Sequence, residues 1–506
     1  MADVVSALTG YAPELTCVSG FARGCSSGGG ERMNVTIGID IGTTSVKAVI
    51  ASEDGTVLGS VRLDHAERSL TKSTKFGRVE HDAARVWRES VLEAATGLAR
   101  LASQAGHRVI GLNVAAMVPS LCAVDSTGVP LGEGLLYGDD RTVGGLRGAD
   151  PSTSGESARM LALLTKLYPG AAGYWPAQAV ANAALCGTGV VDSVTAMTMV
   201  PLFDFSGWDT AVLGAAGATA AQLPRISFGA EPAGMALDQL GADLSGAVIG
   251  GGTIDAFAEQ LVAGADQPGD VLIIIGATLI IWAVVPEWIE IAGLWTVPHT
   301  APGMVLVGGP SNAGGLFRNW AGRSLSEQPA NAEIEPTSVP VWLPFIRGER
   351  TPLHDPTRRA ELHDLDITHG PASMWRSVYE AAGFVTRRHL ELAGLLEGGG
   401  GPTVAKRLVV TGGGSQDRHW VQAIADVTGL PADCVAVPQG AALGAAYLGR
   451  VAAGDVPDAS GAGRWARVGE RIEPDPNFSE AVLNRYARFV ELSGPPFQPE
   501  PESRES

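Results

Sequence analysis

An acidic residue near the end of an apolar strand meets a turn rich in hydroxyls at residues 37–50, IGIDIGTTSVKAVI. Backbone N–H groups and small hydroxyls in such a hairpin turn suit phosphate oxygens, with Gly42 expected to supply a positive φ and close approach. Thr43, Thr44 and Ser45 are therefore candidate phosphate contacts. Burying Asp40 in this run would be costly unless it orients a divalent cation or accepts several hydrogen bonds, so it is the candidate partner of Mg2+, acting through water. Lys47 reads equally as a phosphate contact or as a solvated strand-end charge.

An ordinary polar hairpin would look the same in isolation. The pattern returns, however, at residues 271–285, VLIIIGATLIIWAVV, where Gly276 falls on Gly42, Thr278 on Thr44, and Ile274 on Asp40. Two such turns imply two related lobes, one keeping the charge and the other only the loop. Gly276 and Thr278 are the candidate second phosphate clamp.

Asp255, in GGGTIDA at residues 250–256, stands behind three glycines and ahead of an apolar helix at 256–263. That setting lets backbone approach a substrate while the carboxylate faces it, as a general base requires. The competing reading is a first-turn carboxylate that merely complements the helix dipole. In TGGGSQD, at residues 411–417, Gly412, Gly413 and Gly414 leave room for a nucleoside to lie against backbone, with Asp417 and the start of a helix at 440–444 nearby. A tight strand-to-helix turn would need one or two glycines rather than three.

These candidates must be positioned by an α/β scaffold. Strand-like runs fall at residues 35–41, 46–51, 57–63, 109–115, 121–124, 271–275, 278–284, 304–308 and 407–411, and helical faces recur at 85–104 and 372–395. The apolar run 271–285 contains Gly276 and stops at Pro286, so it reads as two core strands, not a membrane span.

With 506 residues, 45% of them hydrophobic and 18% charged, the chain can bury two cores. A net charge of −18 opposes generic binding to nucleic acid or anionic membrane. The five cysteines lack metal-ligating spacing and read as reduced, cytoplasmic thiols.

Residues 1–33 read as a disordered extension or a mis-assigned start, with Met33 as the expected site of initiation and no signal-peptide core. Residues 34–260 read as an N-terminal lobe, 261–455 as a C-terminal lobe, and 456–506 as a tail with a short helix, disordered from Pro495.

Several segments in fixed order resemble the FGGY carbohydrate kinases of the actin-like ATPase superfamily. They are DIGTTSVK at 40–47, LLYGDDR at 135–141, MVPLFDFSGWD at 199–209, GGGTIDA at 250–256, IGATLI at 275–280, GERTP at 348–352, TGGGSQDRHWVQAIADVTGLP at 411–431 and GAALGAAYLG at 440–449. The resemblance spans about residues 35–490. It implies two ribonuclease-H-like lobes with an active-site cleft between them, ATP and Mg2+ as cofactors, and Asp255 as the base.

The sugar site departs from the family pattern. Val118 and Pro119 stand where xylulokinases carry a Met-His pair, and Tyr137 replaces a tryptophan, so stacking survives while hydrogen bonding changes. Asp139 and Arg141 either line that site or simply pair with each other. The expected activity is ATP-dependent phosphorylation of a ketopentose or related polyol. The alternatives are a catalytically weak sugar- or nucleotide-binding protein of the same fold and, more distantly, a chaperone ATPase. The sugar and ATP are the expected partners, nucleic acid and membrane are not, and a homodimer stays open.

Overall fold

The computed structural model describes residues 15–17, 32–65, 78–143, 155–299, 303–325, 333–355, 357–436 and 440–498. The described residues form two compact units. One takes the chain up to Val262 together with residues 440–465, and the other takes 263–436 and 466–498.

The first unit is built on β1 (Leu15–Cys17), β2 (Asn34–Ile41), β3 (Ser45–Ala51), β4 (Val57–Asp64), β5 (Arg108–Ala116), β6 (Gly234–Met235), β7 (Val248–Ile249) and β8 (Thr253–Ile254). Their order is β1-β4-β3-β2-β5-β7-β6, with β8 also pairing with β5. Strands β2, β3 and β4 form an antiparallel meander, while β5 runs parallel to β2 and both β7 and β8 run parallel to β5. From Val35 to Ile41 every residue of β2 is buried, which is why it reads as an unbroken apolar run rather than an alternation.

The helices of this unit include α1 (Ser90–Gln104), α2 (Ala177–Cys186), α3 (Asp255–Ala263) and, from much later in the chain, Gly440–Ala452. The expected helix at 85–104 starts instead with a π-helical turn, Ala84–Glu89, which carries the buried Trp87.

The second unit repeats the plan. It contains β9 (Asp270–Ile275), β10 (Leu279–Val285), β11 (Trp295–Pro298), β12 (Val305–Ser311), β13 (Arg407–Thr411), β14 (Ala432–Val435) and β15 (Val468–Ile472), in the order β11-β12-β10-β9-β13-β14-β15. Strands β9, β10 and β12 again form an antiparallel meander, with β13 parallel to β9. Helices α4 (Gly315–Ser324), α5 (Pro371–Leu392) and α6 (Arg418–Thr428) belong to this unit, α5 packing against α6; Gly440–Ala452 of the first unit is α7.

Three expectations about boundaries change. The helix at 440–452, expected in the C-terminal lobe near the nucleoside, packs instead on β2 and β5 of the first unit. Its composition explains why: a Cβ at Gly38 would lie 1.8 Å from Ala442 O, one at Gly111 would lie 2.2 Å from Gly449 O, and one at Gly444 would lie 1.8 Å from Ala258 O. Small residues here permit backbone-to-backbone contact with the sheet and with α3.

The tail expected from residue 456 is also integrated, contributing β15 and a 15-residue helix, Ser479–Ser493, whose Val482, Tyr486 and Phe489 join the second unit's core. Within the extension expected to lack structure, β1 pairs antiparallel with β4. The rest of that segment, apart from residues 32 and 33, lies outside the described residues, as does the chain end beyond 498.

Candidate active site

The turn at residues 42–45 joins paired Ile41 and Val46 and is closed by a hydrogen bond from Gly42 N to Ser45 O of 3.0 Å. Gly42 does not have the expected positive φ; a Cβ there would come within 3.3 Å of Ser45 O, so close approach alone explains the glycine. Thr44 is exposed, Gly42 and Thr43 are half-buried, and Ser45 is buried.

Behind the turn sit groups that the sequence reading missed. His65 Nε2 donates to Gly42 O at 2.9 Å, His81 Nε2 donates to Thr43 O at 3.0 Å, and the backbone N–H of His65 donates to Thr44 O at 2.8 Å. On the other side, Tyr137 places its hydroxyl 3.2 Å from Thr43 Oγ1.

Asp40 is buried and lies directly across the strand pair from Lys47, with 3.8 Å between Nζ and Oδ2. Burial pushes the Asp40 carboxyl up to about 7; Lys47 opposes this, while Asp255 and Glu259 add to it. Its Oδ1 has no hydrogen-bond partner, a cost normally avoided inside a protein. Lys47 is thereby accounted for as the cross-strand partner of Asp40.

Asp255 opens α3, and its Oδ1 accepts from Ala256 N at 2.7 Å. Its side chain keeps some exposure, yet the protein crowding it raises the carboxyl above the ordinary aspartate value, the Ala256 N–H and Lys47 opposing. The segment leading to it is held by three amide side chains absent from the sequence-derived set. Asn113 Oδ1 accepts from Gly252 N at 2.9 Å, Asn182 Nδ2 donates to Gly251 O at 3.0 Å, and Gln178 Nε2 donates to Thr253 O at 3.0 Å.

These contacts explain the glycine run. A Cβ at Gly250 would lie 2.4 Å from Asn113 Oδ1 and one at Gly251 would lie 2.0 Å from Ser227 Oγ, while Gly252 has φ +95°. A partly exposed carboxylate with raised basicity, on a rigidly seated helix start, can accept a proton.

Comparison with known families matches this chain twice. The N-terminal domain of the FGGY family of carbohydrate kinases matches residues 35–158, and the C-terminal domain of the same family matches 272–453. The chain belongs to the FGGY family of carbohydrate kinases.

This kinase is similar to proteins named for different acceptors. It is 24% identical to the xylulose kinase of Klebsiella pneumoniae over 84% of this chain and 91% of that one. It is 28% identical to the glycerol kinase of Rhodospirillum centenum over 88% of this chain and 94% of that one. Among solved structures, the xylulose kinase from Rhodospirillum rubrum superimposes with a TM-score of 0.74 at 24% identity, covering 90% of this chain and 98% of that one. That likeness reports the fold.

In the first unit of the kinase, the sugar-site candidates divide. Val118 is half-buried and Pro119 buried, in the connection from β5 to the strand Ser120–Val124, and neither side chain can hydrogen-bond. Tyr137 is exposed beside Thr43. Asp139 is buried and turned inward, accepting from Val79 N at 3.0 Å and from Arg141 Nε at 2.8 Å, while Arg141 also binds Glu80. Burial opposes ionisation of Asp139, but Arg141 and the Val79 N–H win and hold its carboxyl below the usual range. Its hydrogen bonds therefore fasten the chain around Leu136 rather than point outward.

In the second unit, Gly276 N donates to Thr278 O at 2.9 Å to close the turn between paired Ile275 and Leu279. The first amides of α4 back this turn, Gly315 N reaching Gly276 O and Leu316 N reaching Ala277 O, both at 2.9 Å.

The glycines at 412–414 stand in three different surroundings. Gly412 has φ +85° and packs on the Ile275 backbone, and a Cβ at Gly414 would lie 2.2 Å from Ile275 Cγ2; only Gly413 faces open space. Asp417 caps α6 and accepts from Tyr379 Oη at 2.9 Å and Arg318 at 3.0 Å. Among the described residues, Cys122, Cys186 and Cys434 are unpaired by disulfides, and no helix is long and apolar enough to cross a membrane.

Proposed function

We propose that this kinase transfers the γ-phosphoryl group of ATP to a hydroxyl of a ketopentose or a closely related polyol, in the cytoplasm, with Asp255 as the general base. The observation that carries the assignment of the base is the raised carboxyl of the half-buried Asp255, at the start of α3 and within the electrostatic reach of Asp40 and Lys47. As the acceptor oxygen bonds to the γ-phosphorus, its proton passes to Asp255 and the bond to the β–γ bridging oxygen breaks, releasing ADP.

Turn residues Gly42, Thr43, Thr44 and Ser45 offer backbone N–H groups and hydroxyls to phosphate oxygens. In the second unit, Gly276 and Thr278 are proposed as a further phosphate contact. The open face of Gly413 supports a nucleoside resting there, with Gly412 and Gly414 shaping the turn and Asp417 fixing the helix behind it. Tyr137, with Val118 and Pro119, gives the acceptor site an apolar wall with one hydroxyl.

Asp40 fits a role toward Mg2+ because its buried Oδ1 lacks a partner. No group of three His, Cys, Asp or Glu residues able to hold a metal occurs among the described residues, which suits an ion bound through water and phosphate oxygens. When bound, Mg2+ neutralises charge on the β- and γ-phosphates.

The test is a coupled ADP-release screen over ketoses, aldoses and polyols, using the wild type and Asp255→Ala. Sugar-dependent turnover is expected in the wild type and a loss of about a thousandfold in the variant. Undiminished turnover in Asp255→Ala would overturn the assigned base. Ligands that raise the melting temperature without any turnover would favour a binding protein instead.

A further inference from the structure

The three carbonyls of residues 42, 43 and 44 are each held from the same kind of donor, a histidine ring or a histidine backbone N–H. In a trans peptide unit the carbonyl of one residue and the N–H of the next point in opposite directions within one plane. Fixing Gly42 O and Thr43 O therefore aims the N–H groups of Thr43 and Thr44 away from the two rings.

We infer that His81, oriented by Trp87, and His65 are positioning residues that set the peptide planes of the turn at residues 42–45, so that its amides face the triphosphate before it arrives. The inference rests on the reading of this turn as a phosphate contact.

The hydrogen-bond chemistry specifies the state of His81. Trp87 Nε1 can only donate, and it lies 3.1 Å from His81 Nδ1, which must therefore accept. The opposite nitrogen, Nε2, then carries the proton and donates to Thr43 O at 3.0 Å. Neither nitrogen is left to choose, and a ring flip would lose both hydrogen bonds by putting Cδ2–H against the Trp87 N–H and Cε1–H at Thr43 O.

His81 and His65 are both buried, and their rings meet edge-on at 4.9 Å between centroids. Burial holds His65 below its ordinary value and pushes His81 down to about 4, so the rings stay neutral at physiological pH. Trp87 in turn sits on the π-helical turn Ala84–Glu89, where a Cβ at Gly134 would lie 2.1 Å from its ring. The indole has no room to rotate away. A string of contacts thus runs from the first unit's core through Trp87 and His81 to the turn.

The experiment compares steady-state kinetics of the wild type, Thr44→Glu, His81→Ala, His81→Gln and Trp87→Phe, with ATP and the sugar that the wild type phosphorylates. Thr44 is exposed, so Thr44→Glu tests whether the turn faces phosphate without disturbing packing. It should raise KM for ATP at least tenfold, and no change there would sink the phosphate reading and this inference together.

With the turn so established, His81→Ala should raise KM for ATP about tenfold and lower kcat, with KM for the sugar changed less than twofold. His81→Gln should return to within about threefold of the wild type, since a carboxamide can both donate to Thr43 O and accept from Trp87. Trp87→Phe should give an intermediate loss of about threefold. A lowered melting temperature with unchanged KM for ATP in His81→Ala would reduce these residues to packing and leave the phosphate turn intact.

Should His81→Ala fail to fold, 15N spectra of histidine-labelled wild type decide. A protonated Nε2 and bare Nδ1 at neutral pH are expected for His81, and a protonated Nδ1 overturns the inference.

Discussion

The two hairpin turns of this kinase share a glycine, a threonine and flanking apolar strands, yet they are supported by opposite means. The first spans four residues between Ile41 and Val46 and is held from behind by imidazoles; the second spans three between Ile275 and Leu279 and is held by the leading amides of α4. Ser45 therefore has no counterpart within the shorter turn.

The strands below differ in the same sense. Asp40 faces Lys47 across its ladder, whereas Ile274 faces Ile280. A hairpin that must hold a charge carries a compensating cation and a dense polar backing, while its uncharged relative relies on apolar packing and a helix terminus. The lesson is that one folding motif can be seated in two ways when its length, its cross-strand partners and its backing all change.

The largest break in this comparison is expected from removing the charge. Asp40→Asn should lower kcat/KM by about a hundredfold or more while leaving the far-ultraviolet circular dichroism unchanged, since Lys47 stays half-exposed and can remain solvated. Activity close to the wild type would show that the first turn works without its carboxylate.

The reciprocal change, Ile274→Asp, places a carboxylate in the second unit's sheet opposite an isoleucine. It should cost about 3 kcal/mol or more of stability, read from urea denaturation, and confer no gain in rate. A mild effect would mean that the second turn tolerates charge as readily as the first.

A smaller effect should follow from Gly314→Ala, because a Cβ there would lie 2.3 Å from the carbonyl carbon of Thr278. Helix α4 must then move off the turn that it supports. We expect a loss of about 2 kcal/mol and a several-fold rise in KM for ATP, both absent from Gly207→Ala, whose Cβ meets open space.

The subtlest difference concerns pH. Glu349 is buried behind the second turn's neighbouring strand, accepting from Asn312 N at 2.9 Å and Arg350 N at 2.7 Å and bonding Ser311 Oγ at 2.7 Å. Burial pushes it from 4.5 up to about 7 against these hydrogen bonds. Between those values the folded state holds a proton that the unfolded chain has released, so stability falls as pH rises through this window and levels off above 7. Glu349→Gln, a neutral isostere whose carbonyl oxygen can keep accepting from Asn312 N and Arg350 N, should flatten that slope in thermal melts; a slope equal to the wild type's would assign it to other groups.

Much of the scaffold is legible in the linear text. Strands at 34–41, 45–51, 270–275 and 279–285 agree with the expected ones to within a residue or two, because buried runs of β-branched residues bounded by Gly-Thr turns have few other solutions. Both turns and the start of α3 at Asp255 fall where local signals put them.

The supporting groups are not legible. His65 and His81 lie 23 and 38 residues from the carbonyls they hold, and Asn113 lies 139 from Gly252. Nothing near a buried histidine or asparagine in the chain says which distant carbonyl or amide it will satisfy. Gly42 and Gly414 illustrate a related limit: the residue type is right for the turn, but the crowding that a Cβ would meet, from Ser45 and Ile275, is set by packing and not by a positive φ.

Local periodicity and turn chemistry, being properties of neighbouring residues, are enough by themselves to establish an α/β chain with two related hairpins and to single out the acidic positions Asp40 and Asp255; the resemblance to sugar kinases rests on the motifs and their order along the chain. Tertiary structure alone decided that α7 returns to the first unit, that Asp139 is buried and paired with Arg141, and that imidazoles grip one turn while a helix start grips the other. Each of those choices depends on which distant polar groups can be satisfied once apolar surfaces have closed, and that balance exists only in three dimensions.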